Sequence, residues 1–422
     1  MKRSCFILLL AALLLASCGG KATPAVIESV APTAIPADAA AAEAPELVEW
    51  FIPPAGILTH WEVALDPQNP GAVLITPQDG AGEVNRAGEV NRSTQAAHLF
   101  FLLTKGTAAF DRSIELVLTT FLERGFNTRS AVMLAPDAEA VTDALAYAEA
   151  NEYELIYAVG SDAAKFVHES YSGGSLPVVT ILAKDPVLLG QTADYFSGSG
   201  TNIAFTSVSV PVEVQMTYFQ QLVPALKYIA VVYDNNNSST VKTQVDPLVA
   251  YGEANGLTII HVATSAKDDP AGVRLELEAQ IPAALARLAR LDPENVQSIF
   301  LVTNSSAIVD VFDAVDTLAA NVPVVTLLPN LVMEGDVSAV MAVAVSFDSN
   351  AILAGVYGIR ILEEGARPGS LPVGVITPPD VAVNFFKARE IGLRIPFTLF
   401  ESAAYVYDAN GNLAREKGQV VP

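Results

Sequence analysis

The chain has 422 residues and a formal charge of −22, from 24 Lys and Arg against 46 Asp and Glu. That acidic surplus speaks against a phosphate-gripping nucleic-acid surface and against a polybasic contact with anionic lipid. The length allows two or three domains, and 51% of residues are apolar, enough for a sizeable core.

The chain opens MKRSCFILLLAALLLASCGGK. Lys2 and Arg3 precede an apolar run, Phe6 to Leu15, that is too short to cross a bilayer, and small residues follow. This is the layout of a secretory signal. Leu15-Ala16-Ser17-Cys18 resembles the bacterial lipoprotein signal, which implies removal of residues 1–17 and acylation of Cys18. Cys5 would then leave with the signal and Cys18 would carry lipid, so no thiol remains for a disulfide. The expected location is outside the cytoplasm, at the cell surface or in the periplasm, on a lipid anchor.

Residues 18–46, rich in Ala, Pro, Val and Glu, lack a helical or strand period and read as a flexible linker. Residues 47–95 hold both tryptophans, Trp50 and Trp61, in a proline-rich apolar stretch expected as a small appendage of short strands. They end in a polar hinge with a tandem repeat, AGEVNRAGEVNR, Ala81 to Arg92; two copies do not make a solenoid.

From about residue 96 apolar strands alternate with helices. AHLFFLLT reads as a buried strand. DRSIELVLTTFLERGF reads as a helix ending at Gly125, with Ile114, Leu118, Phe121 and Leu122 on one stripe. SAVMLA, YELIYAV and PVVTIL are further strands, separated by the helices AEAVTDALAYAEAN and DAAKFVHES. A second series holds the strands KYIAVVY, LTIIHVA, VQSIFLVT and VPVVTLL. Its helices are VKTQVDPLVAYGEANG, EAQIPAALARLARL and AIVDVFDAVDTLAAN. Continuous apolar strands separated by helices predict parallel sheets covered on both faces. The fold class is therefore α/β, with two doubly wound parallel-sheet lobes joined by a multi-strand hinge.

The segment Gly198 to Gln215 is expected to cross between lobes without a long helix, with recrossings near Ser346 to Asp348 and Leu371 to Ile376. The first lobe is expected over 96–205 plus 349–370, the second over 206–348 plus 371–396. A C-terminal tail, 397–422, contains Asn410-Gly411 between AYVY and LAREK, which predicts a hairpin with a type I′ turn.

At this point the chain resembles the solute-binding lipoproteins of ABC importers. The branch is the one with the type 1 periplasmic binding protein fold that includes tryptophan- and tyrosine-binding members. The likeness covers roughly residues 96–396. It is carried by Ala163 and Ala164 in GSDAAKFV, by Asp185 and Pro186 in VVTILAKDPVLLG, and by Asn202 and Pro224 around the first crossing. Asn384, Ala388, Gly392 and Pro396 carry it in the closing helix VNFFKAREIGLRIP. The family's Glu-His after the first strand falls on Gly106 and Thr107, although Asp111 agrees. Its Asn-Pro-x-Glu-x-Asn-Ser loop falls on Asp234 to Thr240, without the Pro and the Glu. The resemblance implies a receptor that closes two lobes on a small polar solute, amino acid-like or similar, and delivers it to an ABC permease. It implies a monomer with no nucleic-acid partner.

Doubly wound folds place ligands at the carboxyl ends of their strands. The candidate ligand residues are accordingly Thr104, Lys105, Thr107, Phe110 and Asp111 after the first strand, and Ser161 and Asp162 after the third. Lys184 and Asp185 follow the fourth, and Thr206 and Ser207 lie on the first crossing. The second lobe adds Asp234, Asn235, Asn236, Thr303, Asn304 and Ser305, and the next crossing adds Phe347 and Asp348. The same residue types also cap helices and make turns, above all Ser161, Asp162, Ser305 and Asp185. Phe110 equally suits core packing, and Asn237 to Thr240 suit the start of a helix.

No cofactor or metal is expected. Asp234, Asn236 and Ser238 fall at positions one, three and five of an EF-hand loop. Ser239 replaces the glycine at six and Val245 the glutamate at twelve. Asp408 to Asn412 fails likewise, at Leu413 and Gln419. His60, His98, His168 and His261 lack ligand spacing. The sequence has no G-x-S-x-G elbow, no P-loop and no complete G-x-G-x-x-G, so the chain does not read as an enzyme. A receptor feeding a signalling partner, and an enzyme or structural surface protein on the same fold, are the other readings.

Overall fold

The computed structural model describes residues 48–78, 83–84, 90–91, 95–266 and 269–421. The expected signal, Cys18, the linker and most of the tandem repeat lie outside these residues. Within the repeat, Glu83–Val84 and Val90–Asn91 pair as a short antiparallel ladder.

The first sheet has seven strands, in the order Trp61–Leu65, Ala72–Pro77, Phe126–Leu134, Gln95–Leu103, Leu155–Val159, Val178–Ile181, Ile203–Ala204. The last five run parallel. The first two are antiparallel edge strands, so the segment expected as an appendage extends the sheet of the first lobe. Trp61 is buried there, and its indole N–H donates to Thr128 Oγ1 at 3.2 Å.

Strand side chains alternate between faces, and both faces are covered. Leu99, Phe101 and Leu103 join Ile114, Leu118 and Phe121 of the helix Ala108–Arg124 and Ala354 of the helix Phe347–Leu362. Phe100 and Leu102 join Val141 and Leu145 of Ala138–Ala150 and Val167 of Ser161–Tyr171 on the other face.

The second sheet runs Thr258–Thr264, Tyr228–Asp234, Ser298–Val302, Val324–Thr326, Met341–Ala344, Asp380–Asn384, Tyr405–Tyr407, Leu413–Glu416, Gln419–Val420. Its first five strands are parallel. Asp380–Asn384 then pairs antiparallel with Met341–Ala344, and the C-terminal strands finish the edge. Val231 and Leu301 face the helices Val212–Leu222 and Asp246–Asn255. Val232 and Phe300 face Pro270–Leu291 and Phe312–Leu318.

Three details correct the sequence-based expectations. The crossing segment carries an eleven-residue helix from Val212, because Pro211 sets the entry and Met216 and Phe219 bury one face. The helix expected over residues 307–321 splits into Ser306–Val309 and Phe312–Leu318. Asp310 and Val311, poor helix formers, interrupt it. The tail turn is not type I′. Gly411 has φ 87° but Asn410 has no positive φ, and Gly411 N donates to Asp408 O at 3.1 Å. The Asp408 carboxylate accepts from Asn410 N and Asn412 N, which fixes a five-residue loop in place of the two-residue one.

The helix after Tyr228–Asp234 starts at Ser238 and passes through a π turn, Val241–Val245, before Asp246–Asn255. In a regular helix Pro247 would press its ring on the Thr243 carbonyl. The wider turn relieves that contact.

Candidate functional site

Three segments join the lobes. Thr206–Ser207 on the first pairs in parallel with Gly374–Val375 on the third. The second enters the helix Phe347–Leu362, whose fully buried Asn350 bonds to the first and to the strand-end Leu182. Its Oδ1 accepts from Leu182 N at 2.8 Å and Thr206 Oγ1 at 3.2 Å, and its Nδ2 donates to Ser207 O.

Beside the crossings the strand-end loops of the two lobes meet at Lys184. Its backbone N donates to Ser161 Oγ at 3.0 Å within the first lobe. Its side chain reaches into the second. Nζ donates to Asn237 Oδ1 at 3.4 Å, to Ser239 Oγ at 3.2 Å and to Thr240 Oγ1. Thr240 Oγ1 donates onward to Asn304 O, and Asn304 N donates to Gln244 Oε1 at 2.8 Å. Lys184 is only 6% exposed. Burial lowers its pKa to about 7, with Lys105 acting in the same sense and Asp162 and Asp234 opposing.

Of the residues picked out from sequence, Ser161 holds the Lys184 backbone, Asn304 is reached through Thr240, and Lys105, Asp162 and Asp234 act on the ammonium by their charge. Asn237, Ser239, Thr240 and Gln244 belong with them but were not among the candidates. Asn237 does cap the helix, accepting from Thr240 N, and it holds Lys184 as well.

The others sit differently. Thr104 is half-buried at the strand end, and Thr107 caps the helix Ala108–Arg124 by accepting from Phe110 N. The Phe110 ring rests on Gly160, where a Cβ would lie 2.7 Å from its Cζ. Asp111 is buried against the N-terminal segment and accepts from Ile52 N at 3.2 Å. The same segment explains Gly106, since a Cβ there would lie 2.1 Å from the Trp50 carbonyl oxygen.

Asp185 is a turn residue, accepting from Val187 N, Leu188 N and the Tyr195 hydroxyl. Thr206 and Ser207 are buried in the hinge, where Thr206 Oγ1 donates to Thr180 O and Ser207 Oγ accepts from Ser209 N. Asn235 and Asn236 are exposed, and Asn236 is held by the Asp234 carboxylate. Thr303 Oγ1 donates to Val232 O, and Ser305 is buried. Phe347 is half-buried and packs against two hydrophobic clusters. Asp348 pairs with Arg112 at 3.7 Å and Lys417 at 3.4 Å and lines a surface hollow of about 640 Å³.

Where the first crossing (Val208 to Val210) faces Gln215, Gln244 and Leu327, the cavity is about 10 Å³. That is the limit for one water. A larger hollow, about 680 Å³ beside Phe385, Phe397 and Phe400, involves none of the strand-end loops around Lys184.

Residues 135–407 match the model of the family described as ABC transporter substrate binding protein. The chain belongs to that family. Its members bind small-molecule substrates outside the cytoplasm, and no curated protein matches the chain. Among solved structures, a Streptococcus pneumonia domain in complex with L-Trp is 20% identical, with a TM-score of 0.57. That similarity covers 74% of this chain and 100% of the other. A Clostridium difficile substrate-binding protein with adhesive properties, ligand-free and open, is 17% identical over 74% of this chain and 98% of its own, with a TM-score of 0.57. A conserved domain protein from Vibrio cholerae is 17% identical, with a TM-score of 0.56 over 74% and 99%. At these identities the likeness establishes the two-lobed type 1 periplasmic binding protein fold, and the family rests on the sequence match.

Proposed function

We propose that this chain is a lipid-anchored, extracytoplasmic solute-binding protein of an ABC importer. Acylated Cys18 tethers it, and a closed lobe pair presents one small polar solute to a membrane permease. The moving bodies are residues 96–205 with 349–370, and 206–348 with 371–396. The observation that supports this reading is the convergence of strand-end loops from both lobes on Lys184. A solute between the lobes replaces those direct contacts with its own and so favours closure by its differential affinity. The strand-end residues gathered around Lys184 form its lining. Because the pneumococcal relative holds L-Trp, amino acids head the order of solutes to try.

Mature protein is unfolded thermally against amino acids, nucleosides and small organic acids, and ligand retained through purification is weighed by native mass spectrometry. The expected result is one chemical class that raises the midpoint by several degrees at millimolar concentration. A panel without any shift, together with protein that carries no retained mass, overturns the proposal.

A further inference from the structure

We propose that Lys184 marks an oxyanion subsite, where the solute places a carboxylate or a comparable small anionic group between its ammonium and the helix that begins at Ser238. This deepens the solute-binding reading and rests on it. The argument starts from a mismatch of charge. When protonated, Lys184 is a 6% exposed cation, and its three side-chain partners, Asn237 Oδ1, Ser239 Oγ and Thr240 Oγ1, are all neutral oxygens. Among the described residues no ion pair joins it to a carboxylate. A buried charge without a counter-charge is costly.

The position adds to that cost. Asn237 caps a continuous helical run from Ser238 to Asn255, and Lys184 lies at its amino end, where the backbone dipole is positive. A cation at that end opposes the dipole. An anion placed there is favoured by the dipole and by the ammonium together.

The neighbouring charges do not remove the mismatch. Lys105 adds a second positive charge close enough to act on Lys184. The two aspartates that act on it are less buried. Asp162 is exposed, and Asp234 is half-buried with its carboxylate engaged by Asn236. The buried member of the cluster is thus the cation, and water screens the acids. In the solute-free closed form the lysine head occupies the subsite and bonds to its lining. An entering oxyanion takes over the helix end and supplies the missing counter-charge.

The test compares wild-type protein with K184M and K184Q by thermal unfolding at pH 6, where Lys184 is protonated and acetate is ionised. Sodium acetate and sodium sulfate are set against sodium chloride at matched ionic strength. Acetate or sulfate is expected to raise the wild-type midpoint by several degrees over chloride, and both variants are expected to lose that gain. An equal gain in all three proteins, or none in the wild type, overturns the subsite. A second measurement takes any solute found by panel screening and compares its carboxylate with its carboxamide. The carboxylate is expected to bind wild type at least tenfold tighter than the amide, and K184M to bind both alike. A solute that binds wild type equally well in both forms overturns the subsite and leaves solute binding standing. An anion-specific gain with no solute in the panel supports the subsite and counts against the solute-binding reading.

Discussion

Lys184 and Asp185 are adjacent and both buried, and among the described residues neither forms an ion pair, but they use their polar atoms differently. Asp185 spends its carboxylate on the turn it opens, through Val187, Leu188 and Tyr195. Lys184 crosses to the other lobe. Asp111 is a third case: it agrees with the family pattern but faces Ile52. Among the described residues its Oδ1 has no partner, and burial raises its pKa to about 6 against an ordinary 3.8, while the Ile52 N–H opposes. Between these two values the folded protein keeps a proton that the unfolded chain has released. Its contribution to stability is therefore full below about pH 4 and is lost as pH rises through about 6. Asp111→Asn keeps an acceptor for Ile52 N and cannot ionise. It is expected to be about 1–2 kcal/mol more stable than wild type at pH 7 and no more stable near pH 3.5. Chemical denaturation at the two pH values checks this, and an equal difference at both contradicts it. Counting residues to the ends of strands reached Lys105, Ser161, Lys184 and Asn304. Where each side chain points was not legible, because it depends on loop dihedrals and on packing with a distant segment, as Asp111 shows.

At the scale of elements, runs such as LFFLL and VVTIL were readable because both faces of these strands are buried, which leaves no polar alternation. The helix Val212–Leu222 was not readable, since the alternating valines of VSVPVEV mimic a strand. Its register depends on Met216 and Phe219 meeting the second sheet. The junction at Asn350 was hidden for a similar reason: its partners, Leu182, Thr206 and Ser207, are more than 140 residues away. Asn350→Ala removes these hydrogen bonds from a site without water access. It is expected to cost about 3 kcal/mol. It should also speed amide exchange at Leu182, whose N–H loses its acceptor, before the sheet interiors respond. Denaturant melts and peptide-resolved hydrogen exchange measure both effects. A destabilised variant with uniformly faster exchange in both lobes assigns Asn350 to general packing and not to the hinge.

For the whole molecule, the same lysine links closure to pH. Lys184 has a pKa of about 7 when the lobes enclose it, against an ordinary value of 10.5, and burial is the main cause. The charges acting on it are Lys105, Asp162 and Asp234, and they partly offset one another. Opening exposes the ammonium to water and restores the ordinary value. Between pH 7 and about 10 the open form therefore binds a proton that the closed form lacks. Falling pH draws the empty protein open, by about tenfold in the closed-to-open ratio per pH unit in that window. Below pH 7 both forms are protonated and the ratio stops changing. Small-angle scattering of solute-free protein should accordingly show a larger radius of gyration at pH 7 than at pH 9.5. The K184M variant should show the same compact radius at both, because a methionine in that place has no proton to gain. Deprotonation elsewhere in an acidic chain acts on both proteins equally, so the difference between them isolates the lysine. A wild-type radius that tracks the variant's across this range rules out Lys184 as the group that couples protons to closure.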